Sequence, residues 1–217
     1  MWTYGKVKVH WLGHDSFVLQ GSKTVVIDPF KARGNFKADI LLISHEHFDH
    51  MNPEDIRRFT TPSTKAVAPR ICEAGLSDFE FEKTFVSPNS KVDLEGVTIE
   101  TLPAYNLNKF RSPGQVFHPK QDGRVGYVVT LDGRRFYHAG DTDAIPEMKS
   151  LKVDVAFIPV SGTYVMTPEE AASAVKGMKA KVVVPMHYEK IVGSKADAEK
   201  FKRLVGGATK VEILETE

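Results

Sequence analysis

The chain has 217 residues, 41% hydrophobic and 26% charged, which is enough to bury a sizeable core in one globular domain spanning 1–217. Its 29 Lys and Arg balance 28 Asp and Glu, and the formal charge of +1 excludes a long-range field for collecting nucleic acid or anionic membrane. The lone Cys72 excludes an intramolecular disulfide and a thiolate metal cluster. With no signal-like N-terminus and no spanning stretch of roughly 20 apolar residues, the expectation is a soluble, cytoplasmic protein.

In chain order, Lys6 to Trp11, Ser16 to Gln20 and Lys23 to Ile27 read as short strands, broken by Gly13-His14-Asp15 and Gly21-Ser22 and ended by Asp28-Pro29. They predict an antiparallel meander. A buried strand follows at Ile40 to Ile43, then the polar segment Ser44 to His50, then a helix start at Asn52-Pro53 with Asn as cap. Arg70 to Leu76 is helix-like around Cys72, whose thiol has no His or acid tied to it and reads as packing. Phe79 to Phe85 alternates aromatic and charged residues, as a strand with one buried face does.

Further strands are expected at Val97 to Leu102, Gly126 to Leu131 and Arg134 to His138, the last two joined by the hairpin signal Asp132-Gly133. Val153 to Ile158 and Lys181 to Val184 are β-branched runs, separated by a helix that starts on the capping box Thr167-Pro168-Glu169-Glu170 and runs through Lys176. Ser194 to Val205 reads as another helix closed by Gly206-Gly207, before a strand Lys210 to Leu214. Strands with interspersed helices in both halves predict two face-to-face sheets with helices outside.

The sharpest feature is Ser44-His45-Glu46-His47-Phe48-Asp49-His50, directly after a buried strand, where three imidazoles and the Asp49 carboxylate fall within the six residues 45–50. Imidazole and carboxylate are the donors that Zn, Fe(II), Mn and Co accept, and a loop lets alternate residues converge. An ordinary polar turn would favour Gly, Asn and Ser over clustered His.

This segment resembles the His-x-His-x-Asp-His signature of the metallo-β-lactamase superfamily. Gly13-His14-Asp15-Ser16-Phe17, Ile27-Asp28-Pro29-Phe30, Tyr137-His138-Ala139-Gly140-Asp141-Thr142 and Pro185-Met186-His187-Tyr188 also occur in that superfamily's order, so the likeness spans most of the chain. They look most like its L-ascorbate-6-phosphate lactonase-like and N-acyl-phosphatidylethanolamine phospholipase D-like branch. The resemblance implies an α/β fold, a four-layered αββα sandwich, with two divalent metal ions, Zn first and Mn or Fe as alternatives. It also implies His45 and His47 on the first ion, Asp49, His50 and His187 on the second, and Asp141 bridging both.

One histidine of that pattern is missing. Its place, Leu102-Pro103-Ala104-Tyr105-Asn106, holds Tyr and Asn, so His118 from Phe117-His118-Pro119 swings in, Asn106 or water fills the gap, or the first ion binds weakly. His14 is either a turn residue or a group facing the site. His138 and His10 read as structural.

The implied function is a metal-dependent hydrolase that uses a metal-bound hydroxide on a phosphodiester, lactone or other ester. The cation lowers the pKa of water from about 15.7 towards neutrality, and Asp49 and Asp141 are the catalytic carboxylates. The loop Tyr105 to Gly126 carries Asn106, Asn108, Lys109, Arg111, His118, Lys120 and Arg124, a basic set suited to a phosphorylated small molecule, and Gly162-Thr163-Tyr164 is a second candidate wall. The competing readings are an iron-dependent redox member and a degenerate protein that only binds metal or a metabolite. A homo-oligomer is compatible with Trp2, Tyr4 and Trp11 near the start of the chain.

Overall fold

The alternation of apolar side chains along each strand decides which layer it faces. In the first sheet Phe17, Leu19, Val25, Ile27, Ile40, Leu42 and Val67 face the core between the sheets. Their immediate neighbours Val18, Val26, Leu41, Ala66 and Ala68 point the other way, onto a second apolar cluster. A computed structural model describes residues 1–217 apart from the side chain of Ser150.

The first sheet comprises β1 (Trp2–Tyr4), β2 (Val7–Gly13), β3 (Ser16–Gln20), β4 (Thr24–Ile27), β5 (Ile40–Leu42), β6 (Lys65–Pro69) and β7 (Glu82–Val86), in that spatial order. β1 to β4 form the antiparallel meander, and β5 to β7 extend it in parallel. Helix α1 (Pro53–Phe59) starts on Asn52, whose side chain accepts from Glu54 and Asp55 N–H, and it buries Ile56 and Phe59 against the outer face. The short α2 (Glu73–Leu76) lies on that face too, with Cys72 beside it in the same cluster.

The second sheet contains β8 (Lys91–Leu94) and β9 (Val97–Pro103). After a two-stranded excursion, β10 (Phe110–Ser112) with β11 (Gln115–Val116), come β12 (Val125–Leu131), β13 (Arg134–His138), β14 (Lys152–Pro159), β15 (Lys179–Met186) and β16 (Lys210–Val211). The spatial order is β16-β15-β14-β13-β12-β9-β8, with β13 to β16 parallel. Helix α3 (Pro168–Gly177) carries the capping box on Thr167 and Glu170, and it packs on α4 (Lys195–Val205) and β15. Phe17 and Phe157 stack between the sheets with ring centroids 4.1 Å apart. The architecture is the αββα sandwich.

Asp132 and Gly133 both have positive φ, +50° and +71°, as the two-residue hairpin turn requires. Two local expectations differ from the structure. The alternating Phe79 to Phe85 segment pairs only from Glu82, because Phe79 and Phe81 instead stack on each other at 5.2 Å under the outer helices. The last strand is only Lys210–Val211. Trp2 and Tyr4 lie on a strand paired with β2, and Tyr4 meets Phe136 edge-on at 6.4 Å. Among the described residues no helix is long and apolar enough to cross a membrane.

Candidate metal centre

The pairings make β2, β4 and β5 run in one direction in the first sheet, and β9, β13, β14 and β15 run in one direction in the second. The loops leaving their carboxyl ends carry His14 and Asp15, Asp28, Ser44 to His50, Asn106, Asp141, Ser161 and His187, and these side chains gather at one rim. Strand ends give fixed positions, and sharp turns aim the side chains. His14 (φ +54°), Asp28 (φ +44°) and His187 (φ +61°) all adopt the left-handed conformation directly after a strand or one residue beyond it.

Two groups of donors result. His45, His47 and His118 each offer one nitrogen, all within 4.8 Å of one another. The His47 Nδ1 atom is 3.1 Å from His45 Nε2 and 3.4 Å from His118 Nε2. The second group is Asp15, His50, Asp141 and His187, overlapped by His14, Asp49, His50 and His187. Asp141 lies between the groups, with Oδ1 at 3.3 Å from His50 Nε2 and 3.4 Å from His187 Nε2, and Oδ2 at 3.5 Å from His118 Nε2.

The outward nitrogens of the buried imidazoles are held by fixed acceptors, which leaves the inward ones free as donors. The His50 Nδ1–H donates to Asp28 Oδ2 at 2.9 Å, and His45 Nδ1 meets Ser44 Oγ at 2.9 Å, a hydroxyl that itself donates to Asp28. The His118 Nδ1–H donates to Asn106 Oδ1 at 2.9 Å, and the Asn106 amide is pinned in turn by donating to Tyr164 O at 2.8 Å. The His187 Nδ1–H donates to Ser161 Oγ at 2.9 Å. On the inward side, Asp15 Oδ1 and Oδ2, His50 Nε2, Asp141 Oδ1 and His187 Nε2 are buried without a hydrogen-bond partner. Buried polar atoms of this kind, facing one another without hydrogen-bond geometry, fit a cation between them.

Electrostatics divide the groups. Burial holds His45 well below the ordinary imidazole range and lowers His118 to about 4, so these rings are neutral donors at neutral pH. Burial also opposes charge on His187, yet the carboxylates of Asp141 and Asp15 raise it to about 9 when no cation is present. His50 is likewise raised, since Asp141 and Asp28 outweigh its burial. Asp141 would be pushed up by burial, but His187 and His50 hold it well below the carboxylate range. For Asp49, burial is outweighed by a hydrogen bond from His14 Nε2 at 3.1 Å and by nearby His50, and its carboxyl stays low.

This geometry agrees with the comparisons. The model described as "Beta-lactamase superfamily domain" matches residues 8–187. A UPF0173 metal-dependent hydrolase of Thermococcus onnurineus is 35% identical over 229 aligned residues, covering 96% of each chain. One from Methanoculleus marisnigri is 34% identical, covering 95% of this chain and 92% of the relative. The solved structure of a metallo hydrolase from Ignicoccus hospitalis superposes with a TM-score of 0.79 at 27% identity, covering 97% of this chain and 95% of that one. The chain belongs to the metallo-β-lactamase superfamily. Within it, the chain is a UPF0173 metal-dependent hydrolase; the relatives' names do not carry the finer lactonase or phospholipase likeness.

The excursion through β10 and β11 returns His118 to the rim, where it joins His45 and His47 in one donor group. Asn106 is not in that donor group; it holds His118. His14 faces the site and holds Asp49, while His10 pairs with Glu217 at 2.8 Å. His138 accepts from Gly140 N–H through Nδ1 and donates from Nε2 to Asp15 O at 2.8 Å, so it supports the site from beneath.

Four contributors were not predicted: Asp15, Asp28, Ser44 and Ser161. The signal for Asp15 was present, two titratable residues in a glycine-flanked turn after a strand.

Above the donors lies a cavity of about 370 Å³ lined by His47, Phe48, Asp49, Phe117, His118, Asp141, Tyr164 and Ile191. Tyr164 thus stands where the second candidate wall was expected. Apart from His118, the basic set of the 105–126 loop does not line this mouth. Lys109 is tied to Glu170 and Asp143, Lys120 to Glu147, and Arg124 to Glu46 and Asp122. Arg111 lines a separate cleft with Tyr105. Oppositely charged neighbours already occupy three of the four Lys and Arg residues expected to grip a phosphate.

Proposed function

We propose that this hydrolase holds two divalent cations, Zn, Mn or Fe(II), and cleaves an uncharged carboxylic ester or lactone bearing an apolar group. His45, His47 and His118 would hold the first cation, Asp49, His50 and His187 the second, and Asp141 would touch both. Bound there, the cations would supply a Lewis acid for the carbonyl oxygen and a water of depressed pKa. Asp49 lines the mouth with Oδ2 of its carboxylate fixed by His14, and is the group assigned to orient the attacking water and hold its proton at Oδ1.

The observation that carries the substrate reading is the lining of the mouth. Phe48, Phe117, Tyr164 and Ile191 surround the donors, and among the described residues no Lys or Arg lines the cavity. Phe48 is 65% exposed, and a large apolar side chain left in water beside a reactive floor is supported by a ligand that covers it. Phe48, Tyr164 and Phe117 would grip the apolar group and exclude water from the bond being cleaved.

The test compares kcat/KM of the metal-loaded protein on p-nitrophenyl hexanoate, an aromatic lactone and bis(p-nitrophenyl) phosphate. The reading expects the neutral esters to be preferred by at least about tenfold, and Phe48→Ala to raise KM for them with kcat little changed, since one apolar contact is worth about 1–3 kcal/mol. A preference for the phosphodiester would overturn it.

A further inference from the structure

We propose that Asp15 is itself a metal ligand, and that it makes the second position a three-carboxylate site, Asp15, Asp49 and Asp141 with His50 and His187, suited to six-coordinate Mn(II) or Fe(II). This rests on the dinuclear reading and adds to it a ligand and a difference between the two positions. Asp15 is fully buried, and neither carboxylate oxygen has a hydrogen-bond partner. Its charged neighbours all belong to the site: the imidazoles His50 Nε2 at 3.5 Å and His187 Nε2 at 4.0 Å, and the carboxylates of Asp141 and Asp28, which oppose its charge; among the described residues no Lys or Arg pairs with it. A carboxylate left so in an apolar interior is strongly disfavoured unless a cation completes it.

The aim of the side chain is built in. The backbone carbonyl of Asp15 accepts from His138 Nε2 at 2.8 Å, and that of His14 accepts from Trp11 Nε1 at 2.9 Å and His187 N–H at 3.1 Å. Ser16 Oγ donates to Asp28 O at 2.7 Å and accepts from Phe30 N–H at 2.9 Å. Both sides of the turn are thus fixed, and the carboxylate points at the donors opposite with which it forms a four-residue group.

Donor chemistry then separates the positions. Three neutral imidazoles plus Asp141 suit tetrahedral Zn, whereas three carboxylates with two imidazoles supply the oxygen-rich, higher-coordinate set that Mn(II) and Fe(II) accept.

The experiment loads wild type, Asp15→Asn and Asp15→Ser from the metal-free state with Mn(II), counting bound ion by loss of the free Mn(II) electron paramagnetic resonance signal. Melting temperature is recorded with and without metal. Wild type should bind Mn(II) with a large thermal upshift. Both variants should bind it at least about tenfold more weakly with a smaller upshift, while keeping one tightly bound Zn and a metal-free melting temperature no lower than wild type. Equal Mn(II) affinity in the variants would overturn the role of Asp15 and leave the dinuclear reading intact, as would a fall in metal-free melting temperature with unchanged affinity, which marks a structural carboxyl. A wild type that takes up no metal would overturn both.

Discussion

The two halves of the metal centre draw on one loop, yet they differ in charge and in how they are held. His45 and His47 join His118 in a group of imidazoles that burial keeps neutral, aimed by a hydroxyl and an amide. His50 joins His187 among carboxylates that favour positive charge there even without a metal, and Asp28 holds it. Only four residues of sequence lie between His45 and His50, but their rings meet tilted with centroids 3.9 Å apart and their inward nitrogens serve different neighbours. A short loop can therefore contribute to two chemically distinct donor groups, provided distant segments supply the rest of each.

Replacing the residue shared by the halves should have the largest effect. Asp141→Asn takes the anion from both groups, and turnover of a neutral ester should fall by roughly a thousandfold or more, several kcal/mol of lost stabilisation. A loss under tenfold would mean that Asp141 does not join the halves.

The halves should separate when their outer supports are removed. Asn106→Ala frees His118, and Ser161→Ala frees His187. Each should weaken one metal position by roughly 10–100-fold, read by stepwise calorimetric titration, with Ser161 at the low end because water can replace a partly exposed hydroxyl. Equal weakening of both positions by either change would show that they are not independent.

Gly140→Ala probes the backbone that brings Asp141 between the groups. Gly140 has φ +63°, and a Cβ there would lie 3.0 Å from Val125 O, so the substitution should cost about 1–2 kcal/mol. Its melting temperature should fall by about 2–8 °C, checked by calorimetry.

Asp154 is the control, a carboxylate remote from the donors. It accepts from Lys181 Nζ at 2.8 Å and Arg135 N–H at 2.9 Å, and these outweigh its partial burial to hold the carboxyl below its ordinary value. Its stabilisation is thus present above the unfolded carboxyl pKa of about 3.9 and lost as pH falls through the lower folded value. Asp154→Asn should cost under about 1 kcal/mol at neutral pH, nothing in strong acid, and no metal affinity at either half.

Much of this frame was legible. Alternation along β3, β4 and β5 sets both faces of the first sheet, and Asn52 and Thr167 start their helices as caps should. The His45 to His50 cluster stood out as candidate donors, because imidazoles so spaced have little use elsewhere. What escaped depends on tertiary placement. His118 stood as one of several options for the missing donor, and only the β10–β11 excursion and the pinned Asn106 amide aim its ring. Asp15 and Asp28 read as turn residues, because the positive φ at His14 and Asp28 that orients the turns cannot be seen in residue type. The basic residues between Lys109 and Arg124 suggested a phosphate grip because Glu46, Glu147 and Glu170, distant in sequence, were not visible as their partners.

The most direct test of the asymmetric dinuclear centre is anomalous diffraction at the Zn and Mn edges from one crystal grown with both metals. The account predicts a Zn peak among His45, His47 and His118 and a Mn peak beside His50, His187 and Asp15, roughly 3.5–4 Å apart across Asp141. A single peak, or the same metal mixture at both positions, would contradict it.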